Sequence, residues 1–392
     1  KIIKEARDKK LDQAIEELVG INEKDSRLNL ARFRDFSHLF SGACSFCSQC
    51  ADICPVFDKL SEEFTTRSEA APTFKRALAM SLDINKDLES LMNDPLLQKV
   101  YDLCLLCGQC TFKCATNASM RDIVIKMREA KRSKVAAPFL HYLMAHPGAY
   151  NFVIHLLGAT QGLWSNKLSR KMLSLVPREL LPTRIPSGRY LPKLVGTSVR
   201  ERYPELVDIP ASQADIALFY GCTSDLFEEP LADSFIRIAR SNHWKISLPA
   251  QRCCGEPFSA AGNLSEAHRL ARYNIDRLGD YKYVIAFCPS CLYGIKEYAK
   301  DFAQMKDTVY EEKAKALIKK LYEPAQFMME VIGADHIAKP QKALNRKVTI
   351  HLSCHEKLGQ KMTASANHTR AMLKMIPGLE VVEMAGANDC CG

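Results

Sequence analysis

The sequence predicts an α-helical domain with two cysteine-rich sites, followed by two α/β units with parallel sheets, the second of them incomplete in this chain. Three observations support this fold class. A four-cysteine spacing occurs twice before residue 115. From Asp215 onward, strand-like and helix-like segments alternate, which is typical of a parallel sheet covered by helices. The same alternation begins again at Lys347, which indicates a second copy of one unit.

Five segments follow from these patterns. We predict a helical ferredoxin-like domain at 1–134, a helical and extended linker at 135–210, a first α/β unit at 211–304, a helical connection at 305–346 and a second α/β unit at 347–392. Predicted strands cover 215–220, 244–249 and 283–288 in the first unit and 347–353 and 379–384 in the second. Predicted helices cover 1–40, 68–103, 120–134, 230–242 and 265–278, a stretch from 292 onward, and 368–375.

The composition excludes several classes of protein. The chain has 392 residues, of which 47% are hydrophobic, enough for two or three domains. No run of about 18 apolar residues exists, so no helix is expected to span a bilayer by itself. No signal peptide opens the chain, which argues for a reduced, cytoplasmic compartment. The 16 cysteines are therefore expected to bind metal rather than to form disulfides.

The net charge of +9 has no clear nucleic-acid signature, because no recognised binding motif accompanies it. Basic residues concentrate at 126–134, which is either a solvated helix face or a contact surface for a membrane or an acidic partner. The apolar and aromatic part of the linker, 135–165, is a candidate for membrane contact, but the pattern favours packing against a partner subunit or the chain's own core.

The two N-terminal cysteine groups predict two [4Fe–4S] cubane clusters. Each group has the spacing C-x2-C-x2-C-x3-C of two-cluster ferredoxins, in which the fourth cysteine ligates the other cluster. The predicted ligands are Cys44, Cys47, Cys50 and Cys114 for one cluster, and Cys104, Cys107, Cys110 and Cys54 for the other. Zinc is the alternative for a C-x-x-C pair, but this repeated spacing is not the usual one of tetrahedral zinc sites. Ala115 replaces the proline of the first group, which affects only the local turn.

The next cysteines obey a different rule. Cys222, the pair Cys253–Cys254 and the pair Cys288/Cys291 each lie at or just after the carboxyl end of a predicted strand. Because such ends share one edge of a parallel sheet, these thiols should converge there. Gly255 and Pro289 suit the tight turns that this convergence needs. Five thiols are too many for a simple cubane.

The spacing C-x30-CCG-x32-C-x2-C resembles the CCG domain of heterodisulfide reductase catalytic subunits and their relatives. These relatives include the iron–sulfur subunit of anaerobic glycerol-3-phosphate dehydrogenase and the iron–sulfur subunits of glycolate and lactate oxidases. The resemblance implies a non-cubane [4Fe–4S] cluster. Its ligands would be Cys222, Cys253, Cys254, Cys288 and Cys291.

The second copy of the motif is partial. Cys354 is followed after 35 residues by Cys390–Cys391–Gly392, and its C-x-x-C is absent. We expect either a truncated chain or a half-built site, which would hold a second non-cubane cluster if complete. His355, beside Cys354, could donate to a sulfide or a bound thiol, or it could cap a helix.

The resemblance implies an oxidoreductase subunit that transfers electrons. A flavoprotein dehydrogenase acting on glycerol 3-phosphate, glycolate or lactate would supply the electrons, and a membrane quinone pool or quinone-reactive subunit would accept them. The chain would then associate peripherally with the inner face of the cell membrane. FAD is expected only on a partner or an upstream domain, because no G-x-G-x-x-G fingerprint follows a strand. The alternative is a catalytic subunit that cleaves a disulfide at the five-cysteine cluster.

Overall fold

The computed structural model of the chain describes residues 54–55, 103–112, 114, 120–130, 152–153, 155–156, 159–160, 197–226, 229–337, 342–356 and 364–387. The helix predicted at 1–40 and all but the last residue of the helix predicted at 68–103 lie outside these ranges, as does most of the predicted linker at 135–210. The bounds of the five predicted segments stay predictions.

Two helices of the N-terminal cysteine-rich region lie within the described residues. They are α1 (Gln109–Phe112) and α2 (Met120–Ala130). Helix α2 has a charged face and an apolar face, and Val124 and Ile125 on the apolar face are buried. This arrangement shows that α2 packs against another part of the protein rather than lying free in solvent.

The first α/β unit begins after a short capped helix, α3 (Val199–Arg202), and a 3-10 turn at Pro204–Leu206. Its strands are β1 (Ile216–Phe219), β2 (Ile246–Ser247), β3 (Tyr283–Ala286) and β4 (Leu321–Tyr322). Its helices are α4 (Gly221–Leu226), α5 (Glu229–Ser241), α6 (Glu256–Ala260), α7 (Leu264–Leu278), α8 (Pro289–Gln304), α9 (Thr308–Ile318) and α10 (Pro324–Gln326). A π-helix at Phe327–Ile332 and a 3-10 turn at Ala334–His336 follow.

All strand pairs of this sheet are parallel, in the order β2-β1-β3-β4. In the register of the central pair, Ile216 lies opposite Tyr283 and Phe219 lies opposite Ala286. The parallel sheet predicted from the alternating segments is thus present. It places the carboxyl ends of its strands along a single edge.

Successive residues of β1 serve two different cores. Ile216 and Leu218 pack on one face of the sheet, with α5 and the π-helix. Ala217 and Phe219 pack on the other face, with α7, α8 and α9. All four side chains are buried, because a strand covered on both faces has no solvent side. This double burial explains why the strand reads as a continuous apolar run.

The connection predicted as helical at 305–346 also contains a strand. After α9, β4 adds to the edge of the sheet through β3, with Val284 opposite Leu321. Two residues are too short a run to show the alternation of a strand in sequence. Pairing with the preformed edge of β3, rather than local propensity, therefore decides that this segment is extended.

The second unit is smaller in the described residues. It consists of β5 (Arg346–Val348), α11 (Ala364–Lys374) and β6 (Leu379–Val381), with β5 and β6 paired in parallel. Helix α11 packs against the first unit, where Met372 joins its core and His368 Nε2 lies 3.0 Å from Glu330 Oε1. The two α/β units are thus in direct contact.

Membrane-spanning helices are not found within the described ranges, where no helix is both long and apolar enough to cross a bilayer.

Helix α8 carries Asp301, whose carboxyl group has a higher pKa in the folded protein than an ordinary aspartate. Burial is the largest cause that raises the pKa of Asp301 to about 7, and the negative charges of Glu297 and Asp122 also raise this pKa. The positive charges of Lys300 and Arg121 lower it only in part. The folded state therefore holds a proton on Asp301, between about pH 4 and about pH 7, that the unfolded state has lost. Stability contributed by this group falls as the pH rises through that window.

Replacing Asp301 with Asn should remove this pH dependence. We expect the variant to be more stable than the natural chain by about 2 kcal/mol near pH 8, roughly half of the full linkage because the side chain is partly solvated. Near pH 5 the gain should be small. Denaturant unfolding of both proteins at the two pH values measures the difference. An equal gain at both values would contradict the assignment.

Candidate metal centre

Five cysteines lie at the carboxyl-end edge of the first sheet. Cys222 is in the first turn of α4, directly after β1. Cys253 and Cys254 precede α6 in the segment that follows β2. Cys288 is the N-cap residue of α8 after β3, and Cys291 lies within the first turn of that helix. Three successive crossovers of the sheet thus deliver thiols to one place.

The five sulfur atoms form a continuous chain of contacts. The thiol of Cys253 interacts with those of Cys222 and Cys254, and the thiol of Cys254 also interacts with that of Cys291. Cys291 in turn contacts Cys288 and interacts electrostatically with Cys222. Gly221 makes room for one of them, because a Cβ on Gly221 would lie 2.9 Å from Cys291 Sγ. A Cβ on Gly294 would lie 3.2 Å from the Glu256 Cβ, so Gly294 instead leaves space for that side chain.

Two buried side chains hold the backbone of the CCG loop, and sequence analysis did not identify either. Asn274 on α7 accepts a hydrogen bond from the Arg252 amide at 2.9 Å and donates to the Cys253 carbonyl at 3.0 Å. Tyr298 on α8 donates from its hydroxyl to the Cys254 carbonyl at 2.6 Å. A sequence signal for Asn274 is an amide on the buried side of an amphipathic helix.

The loop needs the glycine of its motif. Gly255 has a φ of +90°, in the left-handed region that side chains with a Cβ disfavour. A Cβ there would also lie 3.1 Å from the Ala267 carbonyl oxygen. On the other side of the site, Pro289 occupies the first turn of α8, where its missing amide costs nothing.

The N-terminal cysteines are described in part. Cys54, Cys104, Cys107, Cys110 and Cys114 lie within the described residues, and Cys44, Cys47 and Cys50 lie outside them. Cys107 is buried and the other four are half-buried.

The loop from Cys104 to Cys110 turns back on the sulfur atom of Cys104. Leu106 has a φ of +54°, and its amide donates to Cys104 Sγ at 3.4 Å. Burial raises the pKa of Cys104, against the opposing effects of this hydrogen bond and of the Arg128 charge. The loop therefore offers an amide donor to this sulfur atom, and α2 offers it a positive charge.

The second α/β unit has one cysteine within the described residues. Cys354 is half-buried, and Cys390 and Cys391 lie outside the described residues. Its neighbour His355 lies inside a helical turn at 354–356, in which Ser353 Oγ accepts a hydrogen bond from the Glu356 amide at 3.1 Å. It lies against the first unit, with Nδ1 at 2.8 Å from Ser290 Oγ and the ring stacked on Tyr293 at 5.1 Å between centroids. Burial, followed by the charge of Arg121, lowers the pKa of His355 to about 4, against a smaller effect of the Leu106 backbone.

No group of three or more histidine, cysteine, aspartate or glutamate side chains within the described residues is arranged to hold a single metal ion. This finding does not conflict with the chain of five thiols. The cysteines of a multi-iron cluster bind different iron atoms, so they surround a volume instead of converging on one point.

Comparison with known proteins identifies both cysteine regions. A cysteine-rich CCG domain model matches residues 216–296 and 348–392, and a 4Fe-4S dicluster domain model matches residues 41–118. Lactate utilization protein A of Geobacillus sp. (strain WCH70) is 32% identical over 178 residues, which are 45% of this chain and 71% of that protein. The chain belongs to the CCG iron–sulfur protein family.

Other relatives of the chain carry the same name. Lactate utilization protein A 1 of Bacillus mycoides is 29% identical over 178 residues, or 45% of this chain and 70% of that protein. Lactate utilization protein A of Bacillus subtilis is 27% identical over 178 residues, again 45% of this chain and 71% of that protein. No solved structure matches the chain significantly. The chain is thus an iron–sulfur component related to an oxidoreductase system.

The chemistry of the five-thiol site fits an iron–sulfur cluster. The hydrogen bond with Cys222 lowers the pKa of Cys253, but contact with Cys254 and burial outweigh it, and the net pKa is raised. For Cys254 and Cys291, one thiol contact lowers the pKa, but a second thiol contact and burial outweigh it. Both pKa values are therefore raised well above the usual range. Crowded, buried thiols lose their protons only to a strong positive charge, which iron supplies.

Helix α2 ties the cysteine loop of residues 104–110 to the first CCG unit. Arg128 donates to the Cys104 carbonyl at 2.9 Å and to the Ala260 carbonyl at 2.8 Å, so it is a bridge and not part of a solvated face. Gly262 permits the close approach of the two segments. A Cβ there would overlap the Glu129 amide nitrogen.

A buried ion pair anchors the other end of α2. Arg121 Nη2 lies 2.5 Å from Glu256 Oε1, with only 7% and 8% of the two side chains exposed. Glu256 is two residues after the CCG cysteines, and Arg121 also lies over the Tyr293 ring at 4.8 Å. This pair therefore joins α2 to the immediate surroundings of the five thiols.

Replacing Glu256 with Gln should be costly. The amide keeps the shape but leaves the Arg121 charge buried without its counter-charge, so we expect a loss of about 3 kcal/mol in the free energy of unfolding. Glu205→Gln is the matched control, because its ion pair with Arg240 is half-exposed and should be worth under about 1 kcal/mol. Denaturant unfolding of the anaerobically purified proteins gives both values. Equal losses in the two variants would contradict the anchoring role.

Proposed function

We propose that this chain is the iron–sulfur subunit that carries electrons from a flavoprotein dehydrogenase toward a membrane quinone during the oxidation of lactate. The single observation that carries the proposal is the physical join between its two cysteine regions. The loop of residues 104–110 and the five-thiol site contact the same helix, α2, through Arg128 and Arg121. The name of the relatives supports lactate as the substrate class over glycolate or glycerol 3-phosphate.

Three clusters are proposed on this chain. Two [4Fe–4S] cubanes would be held by the N-terminal cysteines in the crossed pattern that the spacing predicts, with Cys54 and Cys114 each serving the opposite cluster. A third, non-cubane cluster would be held by the five thiols at the edge of the first sheet. When bound, these clusters accept and donate single electrons. The protein supplies their spacing, burial and hydrogen bonds.

The surroundings of the five thiols suit an electron-transfer site. The thiols are buried at Cys253, Cys254 and Cys291, so they exclude water, and the CCG loop is fixed by Asn274 and Tyr298. A rigid, dry ligand shell reduces the reorganisation that accompanies a change of charge.

The partners are proposed from what this chain would need. A flavin on a partner or an upstream domain would convert the two-electron oxidation of a hydroxy acid into single electrons. A quinone-reactive subunit or the inner membrane surface would accept them, with the basic and apolar region around 126–165 as the proposed contact. Phe152 and Leu156 in this region are 69% and 53% exposed.

A second function is favoured by one observation, which is that the site has five thiols where a cubane uses four. In this alternative the five-thiol cluster cleaves a disulfide. Two electrons delivered in single steps, with two protons, would convert one S–S bond into two thiols.

Replacing Cys254 with Ser tests the proposed function. We expect this variant to lose the iron and the electron paramagnetic resonance signal of the third cluster and to keep both cubane signals on reduction, because the two regions are separate ligand sets. Cys107→Ser is the reciprocal control, which should lose a cubane signal and keep that of the third cluster. Loss of all signals together in both variants, or a natural chain without iron, would contradict the three-cluster assignment.

The acceptor is tested with the same proteins. Anaerobically reduced natural chain should be reoxidised by a short-chain quinone, and Cys254→Ser should be reoxidised more slowly if the third cluster delivers the electrons. A new paramagnetic signal on adding a small thiol to the oxidised natural chain, with no reaction with the quinone, would favour disulfide cleavage instead.

A further inference from the structure

A side chain of the segment that leads to the CCG loop reaches across the end of the sheet to the turn that carries Cys222. Gln251 lies two residues before Cys253. Its Nε2 donates a hydrogen bond to the Leu218 carbonyl of β1 at 2.9 Å, and its Oε1 accepts one from the Gly221 amide at 3.2 Å. Both ends of this side-chain amide are therefore bound to the backbone around the end of β1 and the start of α4.

These two hydrogen bonds take the place of strand pairing. The pairing of β1 with β2 ends at Ala217 and Ser247, whereas β1 itself continues to Phe219. Backbone groups at the end of a buried strand need partners, and a longer neighbouring strand would normally supply them. Here the side chain of Gln251 supplies one donor and one acceptor instead. The backbone after β2 is thus free to turn away and form the CCG loop.

The contact with Gly221 lies directly against the five-thiol site. Gly221 precedes Cys222, and a Cβ on this glycine would lie 2.9 Å from Cys291 Sγ. Its φ of +60° also places it in the left-handed region that glycine favours. A shift of this residue would move Cys222 and change the space beside Cys291. The hydrogen bond that holds the Gly221 amide therefore bears on the position of two thiols.

The other end of this link is also fixed. Asn274 accepts a hydrogen bond from the Arg252 amide at 2.9 Å and donates one to the Cys253 carbonyl at 3.0 Å. These are the two residues that follow Gln251 in the chain. A side chain can position another group only if its own backbone is held in place. Because Asn274 holds the segment, Gln251 reaches the Cys222 turn from a rigid base.

We propose that Gln251 is a positioning residue that holds the Cys222 turn at the distance from the CCG loop at which all five thiols can bind one cluster. Cys222 is the thiol that follows β1, whereas the other four follow β2 and β3. Four thiols are the number that a cubane uses. Gln251 would therefore decide whether the site holds a five-thiol or a four-thiol cluster. The inference rests on the proposed function, since it needs a cluster at this site.

Substitutions at Gln251 separate its two hydrogen bonds. Gln251→Leu keeps the approximate size and loses both. Gln251→Glu keeps an oxygen for the Gly221 amide and loses the donor to β1. Cys222→Ser is the reference for a site without its fifth thiol. Ser247→Ala is the matched control, because it removes a buried contact of β2, the Ser247 hydroxyl at 3.3 Å from the Tyr281 hydroxyl, and leaves the Gln251 side chain intact.

Electron paramagnetic resonance of the anaerobically prepared proteins gives the first readout. In Gln251→Leu the signal of the third cluster should shift toward that of Cys222→Ser, with both N-terminal cubane signals retained, and in Gln251→Glu it should shift less. A chelator should remove iron from the third cluster of Gln251→Leu about tenfold faster than from that of the natural chain, because two hydrogen bonds are lost. Ser247→Ala should unfold more easily but keep the natural signal and the natural rate of iron loss.

Hydrogen exchange of the Gly221 amide, followed by mass spectrometry, gives a readout that needs no iron. This amide should exchange faster than in the natural chain in Gln251→Leu and at close to the natural rate in Gln251→Glu, which keeps the acceptor. If Gln251→Leu fails to fold and loses every signal, Gln251→Glu decides the question, because a changed third-cluster signal beside intact cubanes supports the proposal.

Two outcomes would overturn the inference. One is a third-cluster signal identical to that of the natural chain in every Gln251 variant that folds. The other is the same change of signal in Ser247→Ala, which would show that any loosening of the sheet has this effect. A natural chain without iron at the five-thiol site would overturn the proposed third cluster instead, and the exchange rate would still show whether Gln251 holds Gly221.

Discussion

The buried ion pair between Arg121 and Glu256 is the interaction on which the arrangement of the sites depends. It lies where α2, α6 and α8 meet, and it fixes the cysteine loop of residues 104–110 against the first CCG unit. Its two charges are nearly inaccessible to water. Separating the regions would therefore expose the charges or leave one of them buried without its partner, which costs free energy. The pair is thus less a source of net stability than a device that specifies one docking geometry.

A second constraint comes from the parallel sheet. Because β1, β2 and β3 run in the same direction, their following loops all open at one edge, and that edge receives the five thiols. The sheet is buried on both faces, so its position is rigid, and the loops inherit that rigidity through Asn274 and Tyr298. The same scaffold would hold the ligand shell of a cluster still while its charge changes.

The three units of the chain share one polar junction. Arg121 comes from the N-terminal region, Glu256 and Tyr293 from the first CCG unit, and His355 from the second. Such shared contacts make the units interdependent, since a change in one alters the surroundings of the cysteines in another. They also explain why the interface buries charge and aromatic rings together, which suits a contact that must be both specific and close.

The sequence by itself determined the chemistry. Cysteine spacing predicted iron–sulfur clusters, and the alternation of segments predicted a parallel sheet whose strand ends carry Cys222, Cys253 and Cys288, because both signals are local and periodic. Only the tertiary structure placed Arg128 in a bridge, His355 against Ser290 and β4 at the sheet edge. These contacts join residues distant in sequence, and no local pattern records which distant partner a buried side chain meets.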